Sequence, residues 1–232
     1  MSTSTTGLRV HLLVWDLPTR LFHWTLVALV ALAWATGETE GFWFTVHAYA
    51  GYGVLVLLVF RLLWGVWGSR HSLFSDFVRS WVTVRAYAAR LLAFRAPRSI
   101  GHNPLGGWMI ILLMTALTVI VATGLFTAGE MEHGQIVAGP LAHYIPAGAA
   151  HAMKEIHEVF FNLLLVLVGI HIVGVVTGIV LTRDDLIRAM VTGYKDVMPE
   201  QAAGETGVMA PTWRALAALA LAVAATWFVV TY

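Results

Sequence analysis

Charged residues divide this chain into five apolar runs separated by short polar links. Residues 21–37, 41–60 (continuing past Arg61 to 69), 99–129, 159–182 and 215–232 hold no Asp, Glu, Lys or Arg apart from that one arginine. Each approaches or exceeds the roughly 20 residues that an α-helix needs to cross a hydrocarbon core. The first and last are the shortest. Ala33-Trp34-Ala35 imitates a signal-peptide cleavage step, but the segment before the first run is only weakly basic and the run itself is long, so it reads as a retained span. The links show no low-complexity tract and no soluble domain. The pattern predicts an all-α membrane protein with five transmembrane helices, the fifth at the C-terminus.

Composition agrees with the pattern. Of 232 residues, 59% are hydrophobic and 12% are charged, against roughly 45–50% and about 25% in a soluble domain. So little charge cannot clothe a water-soluble globule, and the lipid bilayer is the first partner implied. The absence of cysteine excludes disulfides, thiolate zinc sites, iron–sulfur ligation and covalent c-type haem attachment. A net charge of +1 gives no reason to expect a nucleic-acid partner.

Orientation follows from the basic residues. Arg70, Arg79, Arg85, Arg90, Arg95 and Arg98 crowd the link between spans two and three against a single acid, Asp76, which places that link in the cytoplasm. Within it, residues 74–94 interleave apolar side chains with arginine as a surface-lying amphipathic helix does, although a solvated basic loop fits the pattern equally. The opposite links carry Glu38, Glu40, Glu130, Glu132, Glu155 and Glu158 against Lys154. The expectation is a multi-pass protein of the bacterial inner membrane with its N-terminus cytoplasmic and its C-terminus periplasmic.

Ionisable groups inside spans carry function by default, and the histidines sort by depth. His23 lies near the inner end of span one, His47 near the outer end of span two, His157 at the outer end of span four, and His171 fourteen residues deeper. Fourteen helical residues rise about 21 Å and return to within roughly 40° of the starting direction, so span four presents two imidazoles on one face at two depths. Those depths match His47 outside and His23 inside. Two facing pairs are what two six-coordinate b-type haems need in a helix bundle. The His47 and His157 pair, being nearer water, is the weaker of the two.

Gly174 and Gly178 continue the His171 face and would let a flat macrocycle approach the backbone, while Arg61 stands fourteen residues after His47 at the inner depth, where its charge would suit a haem propionate. Other histidines are weaker candidates: His102 belongs to a helix start in which Asn103 caps and Pro104 opens. His133, His143 and His151 are scattered in an outer link, and His11 and His71 are expected on the solvent side. Trp15, Trp24, Trp43, Trp67 and Trp213 read as an interfacial aromatic belt.

Val14-Trp15-Asp16-Leu17-Pro18-Thr19-Arg20-Leu21-Phe22-His23-Trp24 resembles the opening signature of the bacterial cytochrome b561 family of the nickel–iron hydrogenase cytochrome b type. The resemblance continues in His47-Ala48-Tyr49-Ala50-Gly51-Tyr52, Phe60-Arg61-Leu62-Leu63-Trp64-Gly65, Gly101-His102-Asn103-Pro104-Leu105-Gly106-Gly107, Glu155-Ile156-His157-Glu158 and Arg188-Ala189-Met190-Val191-Thr192-Gly193. It implies a four-helix core binding two b haems through histidines on helices one, two and four, matched here by His23, His47, His157 and His171. It also implies electron exchange between a periplasmic redox partner, a c-type cytochrome or a hydrogenase-like oxidoreductase subunit, and membrane quinone. The domain division it suggests is a haem domain over residues 1–195, a linker over 196–211 and an extra helix over 212–232, which departs from the family pattern.

Three functions of different kinds fit these residues: an electron-transfer subunit, a superoxide:quinone oxidoreductase, and a haem-free membrane anchor or His-lined metal transporter. An anionic substrate arriving from outside would want a positive rim, and the acidic links favour a basic protein partner instead. The quinone is expected beside the inner haem, near Trp64 and the arginine-rich link.

Overall fold

The computed structural model describes residues 9–130, 136–203, 205 and 209–232. Glu132 and His133 therefore lie outside the described residues. Helices numbered along the chain are α1 (Leu17–Thr36), α2 (Phe42–Trp67), α3 (Phe74–Phe77), α4 (Trp81–Leu92), α5 (Pro104–Phe126), α6 (Ala147–Thr182), α7 (Leu186–Thr192), α8 (Pro199–Ala203) and α9 (Thr212–Thr231). Five of them, α1, α2, α5, α6 and α9, are long and apolar enough to cross a membrane. The protein is an all-α integral membrane protein.

Local chemistry explains the boundaries. Asp16 caps α1 by accepting from the Thr19 backbone N–H at 2.8 Å, with Pro18 in the first turn. Asn103 does the same for α5, accepting from Gly106 N at 2.7 Å ahead of Pro104. The start of α6 differs from expectation, at Ala147 rather than residue 159. A charge-free criterion stops at the first ionised side chain, whereas the helix runs on past it, with Lys154 and Glu158 one turn apart on its surface at 3.9 Å. The arginine-rich link is helical in two pieces, α3 and α4, separated by residues 78–80, where the Ser80 cap of α4 accepts from Thr83 N.

The centre of the bundle is α2. Its Val54 and Leu58 meet Ala116, Leu117 and Ile120 of α5 and Leu164 of α6 in one apolar core. Helix α1 packs along α2, where Gly53 admits the Leu29 side chain. A second core joins α2 to α9, with Ala215, Ala218 and Ala222 seated on Phe60 and Trp64. Small residues at such a seam let two helices approach closely. Helices α5 and α6 form the most extensive pairing.

Two short antiparallel pairs were not expected in an all-α chain. β1 (Val10–Leu13) pairs with β4 (Tyr194–Val197), Val10 opposite Val197 and Leu13 opposite Tyr194, and β2 (Ala128–Glu130) pairs with β3 (Ile136–Ala138). The first pair ties the start of the chain to the segment after α7. Gly193, at φ +92°, is what allows it: a side chain there would come within 2.7 Å of the Trp15 carbonyl. The Gly193 carbonyl in turn accepts from Val14 N and Trp15 N at 2.9 and 3.1 Å.

Among its described residues, the segment 196–211 is docked at three points. Its first residues belong to β4, Glu205 lies 2.9 Å from Arg70, and Ala210 N donates to Ser69 Oγ at 3.0 Å.

Candidate functional site

Of the histidines singled out in the sequence, His47 and His157 come together edge-on. Their ring centroids are 6.1 Å apart, with the planes at 66°. Each ring is oriented by a neighbouring helix: His47 Nδ1 donates to the Ala33 carbonyl of α1 at 2.8 Å, and His157 Nδ1 to the Ile120 carbonyl of α5 at 2.8 Å. A carbonyl only accepts, so Nδ1 carries the proton in both rings and Nε2 keeps its lone pair. This is the arrangement of a metal-ligating histidine, whose second nitrogen is held by a backbone carbonyl. A metal atom bonded at about 2 Å to one nitrogen of each ring holds the two centroids about 6 Å apart, which the observed spacing meets. The glycines beside the pair serve it too: a side chain at Gly124 would press on the His157 ring at 3.1 Å, and one at Gly37 would approach His47 Nδ1 at 3.4 Å.

His23 of α1 and His171 of α6 lie toward the opposite, arginine-rich end. The Nδ1 of His23 is buried without a hydrogen-bond partner, and its ring meets Trp24 edge-on at 4.9 Å. Gly174 has open space where a Cβ would stand. Gly178 instead faces the Leu186 side chain at 3.1 Å and serves the turn into α7.

Arg61 is 3% exposed. It donates to the Ser72 carbonyl at 3.0 Å and lies over the rings of Phe74 and Phe77 at 4.9 and 5.5 Å. Such stacking suits a guanidinium taken out of water. Arg61 is thus a fixed positive charge at the arginine-rich end.

The family profile of prokaryotic cytochrome b561 matches residues 14–193. The chain belongs to the prokaryotic cytochrome b561 family. It is a b-type cytochrome of the membrane, with haem b as its cofactor and electron transport as its work. It is 27% identical over 211 residues, 78% of this chain and 86% of the relative, to a probable Ni/Fe-hydrogenase B-type cytochrome subunit of Cupriavidus necator. A probable superoxide oxidase CybB of Yersinia pestis is 25% identical over 179 residues, 72% of this chain and 90% of the relative. A probable Ni/Fe-hydrogenase 1 B-type cytochrome subunit of Escherichia coli K12 is 24% identical over 214 residues, 78% and 89% of the two chains. No solved structure matches.

In this cytochrome the opening and closing motifs are one physical unit. Arg20 donates to the Val191 carbonyl at 2.6 Å and Trp24 Nε1 to the Met190 carbonyl at 3.2 Å. The Asp16 carboxylate also accepts from Trp64 Nε1 at 3.1 Å, and Thr19 shares a 2.6 Å hydrogen bond with Ser72.

Several secondary expectations change. Trp15 is 5% exposed and so is not part of an interfacial belt, unlike the exposed Trp24, Trp43, Trp67 and Trp213. His71, expected in solvent, is buried beside Asp76, while His11 is exposed and paired with Asp196 at 2.6 Å. His143 stacks on Tyr144 and His151 stands near Glu155. Among the described residues no group of three or more His, Asp or Glu gathers to hold a metal ion. Trp64, expected near the quinone, is 1% exposed and roofed by the alanines of α9.

Proposed function

We propose that this cytochrome is a dihaem electron carrier that links a periplasmic redox partner, a c-type cytochrome or a hydrogenase-like subunit, to the quinone pool. One observation carries the reading: the His47 and His157 rings, each fixed through Nδ1, stand 6.1 Å apart. His47 and His157 hold one haem and His23 and His171 the other. When bound, each haem supplies a reversible one-electron site of iron ligated by two imidazoles. Ala33 and Ile120 keep the first pair in the correct tautomer through their carbonyls. Arg61, held by Ser72 and two phenylalanine rings, offsets the charge of a propionate at the second site. Stacking the two pairs at two depths of α6 gives a route across the bilayer.

The positive-inside rule places the arginine-rich link in the cytoplasm, so the His47 and His157 pair lies toward the periplasm. There the rim is acidic, and Lys154, the basic residue set against its glutamates, lies 3.9 Å from Glu158. That surface supports a basic partner and disfavours an anionic substrate. The superoxide reading is kept as the alternative because the Yersinia pestis relative bears that name. Stopped-flow mixing, of the reduced protein with each oxidant and of the oxidised protein with superoxide, separates the two. Rapid oxidation by a basic c-type cytochrome and by quinone, without rapid reaction with superoxide, supports electron relay. Fast reduction of the b bands by superoxide overturns it.

A further inference from the structure

Helix α4 carries more apolar side chains than its one packed face can bury. Val84 and Tyr87, 3% and 8% exposed, turn inward where the helix packs on α5, and Trp108 Nε1 of α5 donates to the Arg79 carbonyl just ahead of it at 3.0 Å. Trp81, Val82 and Leu92 turn away from that contact and are 65%, 78% and 80% exposed. At about 100° per residue, Trp81 and Leu92 fall on one side of Arg85, and Val82 with Ala89 on the other. An exposed arginine thus stands in the middle of an exposed apolar sector. Phe94, just past the helix end, is also 80% exposed and holds a left-handed backbone at φ +56°, a costly state for an aromatic residue.

The charge on this surface has no counterpart within the chain. Arg79, Arg85, Arg90 and Arg95 are exposed, whereas the ion-paired arginines among the described residues are Arg70, Arg98 and Arg188. Asp76, the acid of this link, is already engaged by His71 at 3.1 Å and lies 3.9 Å from Arg70. Counter-charge for the four must come from outside the chain.

The two properties together select the occupant. A surface helix of an integral membrane protein buries its apolar sector at the boundary of headgroups and acyl chains, and an arginine rooted in that sector extends its head to the phosphate layer. A guanidinium matches a phosphate bidentately. A small soluble anion would satisfy the arginines and leave Trp81, Val82 and Leu92 in water. A zwitterionic lipid would cover the apolar sector, but its own cation would offset none of the excess positive charge. We propose that α4 is a docking surface for anionic phospholipid, with Trp81, Val82 and Leu92 against the acyl chains, Arg85 on the headgroup phosphate, and Arg79, Arg90 and Arg95 supplying the field that selects a net negative lipid. The surface anchors the link between α2 and α5 to the headgroup layer.

The test titrates the haem-loaded full chain in detergent with phosphatidylglycerol and, separately, with phosphatidylcholine of the same acyl chains, and follows the first bound lipid by native mass spectrometry. The wild type should bind phosphatidylglycerol more tightly. Arg85→Gln should weaken phosphatidylglycerol about fivefold and leave phosphatidylcholine unchanged, and adding Arg90→Gln should weaken it further. These arginines are exposed, so the low-spin haem spectra should stay unchanged and show that the variants are folded. Arg188→Gln removes a half-exposed arginine outside α4 and should keep the wild-type preference. Equal affinity of the wild type for the two lipids, or an unchanged preference in Arg85→Gln, overturns the proposal. So does an equal loss in Arg188→Gln, which would mean diffuse attraction to the whole arginine-rich end.

Discussion

The indole N–H of Trp64 donates to the carboxylate of Asp16 at 3.1 Å, and the same carboxylate caps α1 through the Thr19 backbone N–H at 2.8 Å. One acidic side chain thus starts the first span and fixes the end of the second against it. Asp16 is 7% exposed and Trp64 1%. Asp16→Ala leaves the Thr19 and Trp64 N–H groups without this acceptor, removes the longer bond from Ser72 Oγ as well, and should cost about 2–4 kcal/mol of stability. Asp16→Asn, which keeps one acceptor oxygen, should cost less. Thermal unfolding midpoints in detergent, followed by loss of the haem absorbance, check the order.

Gly124 tests the acidic-end pair without touching a ligand. A Cβ there would stand 3.1 Å from the His157 ring, and the ring is held in place by Ile120. Gly124→Ala should therefore tilt one imidazole, shifting the EPR g values and the midpoint potential of one haem while the other is unchanged. A redox titration with EPR detection reads both.

The acidic rim makes a prediction about rate. If the partner is a basic soluble carrier, its encounter should slow as salt shortens the screening length from about 30 to about 8 Å. Replacing Glu38, Glu40, Glu130 and Glu132 with Gln should slow the encounter and flatten its salt dependence with the haem spectra unchanged. Stopped-flow oxidation by a basic c-type cytochrome checks it, and a partner bound permanently through an apolar interface would show neither effect.

His102 also makes stability depend on pH. In the unfolded chain it titrates near its ordinary value of 6.5, whereas in the folded chain burial holds it down to about 3. Between those values the unfolded chain binds the extra proton. Stability is therefore full above pH 6.5 and falls with acidification, by up to about 1.4 kcal/mol per pH unit from this group. Unfolding midpoints at neutral and mildly acidic pH should converge in His102→Phe relative to the wild type.

What the sequence made legible is what the bilayer and helix geometry dictate. Spans of fixed length, the caps at Asn103 and in the Val14-Trp15-Asp16 motif, and the two depths of His157 and His171 all follow from local rules. The rest depends on residues far apart in the chain. The β1–β4 pair joins four-residue segments that lie some 180 residues apart in the chain, too short for pattern alone to reveal. His102 was legible as part of a helix start, but its ring environment is built by Trp15 and Phe77 from other elements. Trp64 looked available to a quinone until α9 was seen to cover it. His71 read as a loop residue because Asp76, Gly101 and Glu205, which enclose it, lie on three different segments.

The central claim is that four histidines hold two haems in two separable pairs. The sequence ranked the His47 and His157 pair as the weaker, yet that pair shows the fixed tautomers and the 6.1 Å ring spacing. The most direct measurement is a pyridine haemochrome assay per polypeptide, combined with EPR, on the wild type, His157→Ala and His171→Ala. The account predicts two haems b in the wild type, and in each variant loss or high-spin conversion of one haem with the other left low-spin. One haem per chain in the wild type, or two unchanged low-spin signals in either variant, would contradict it.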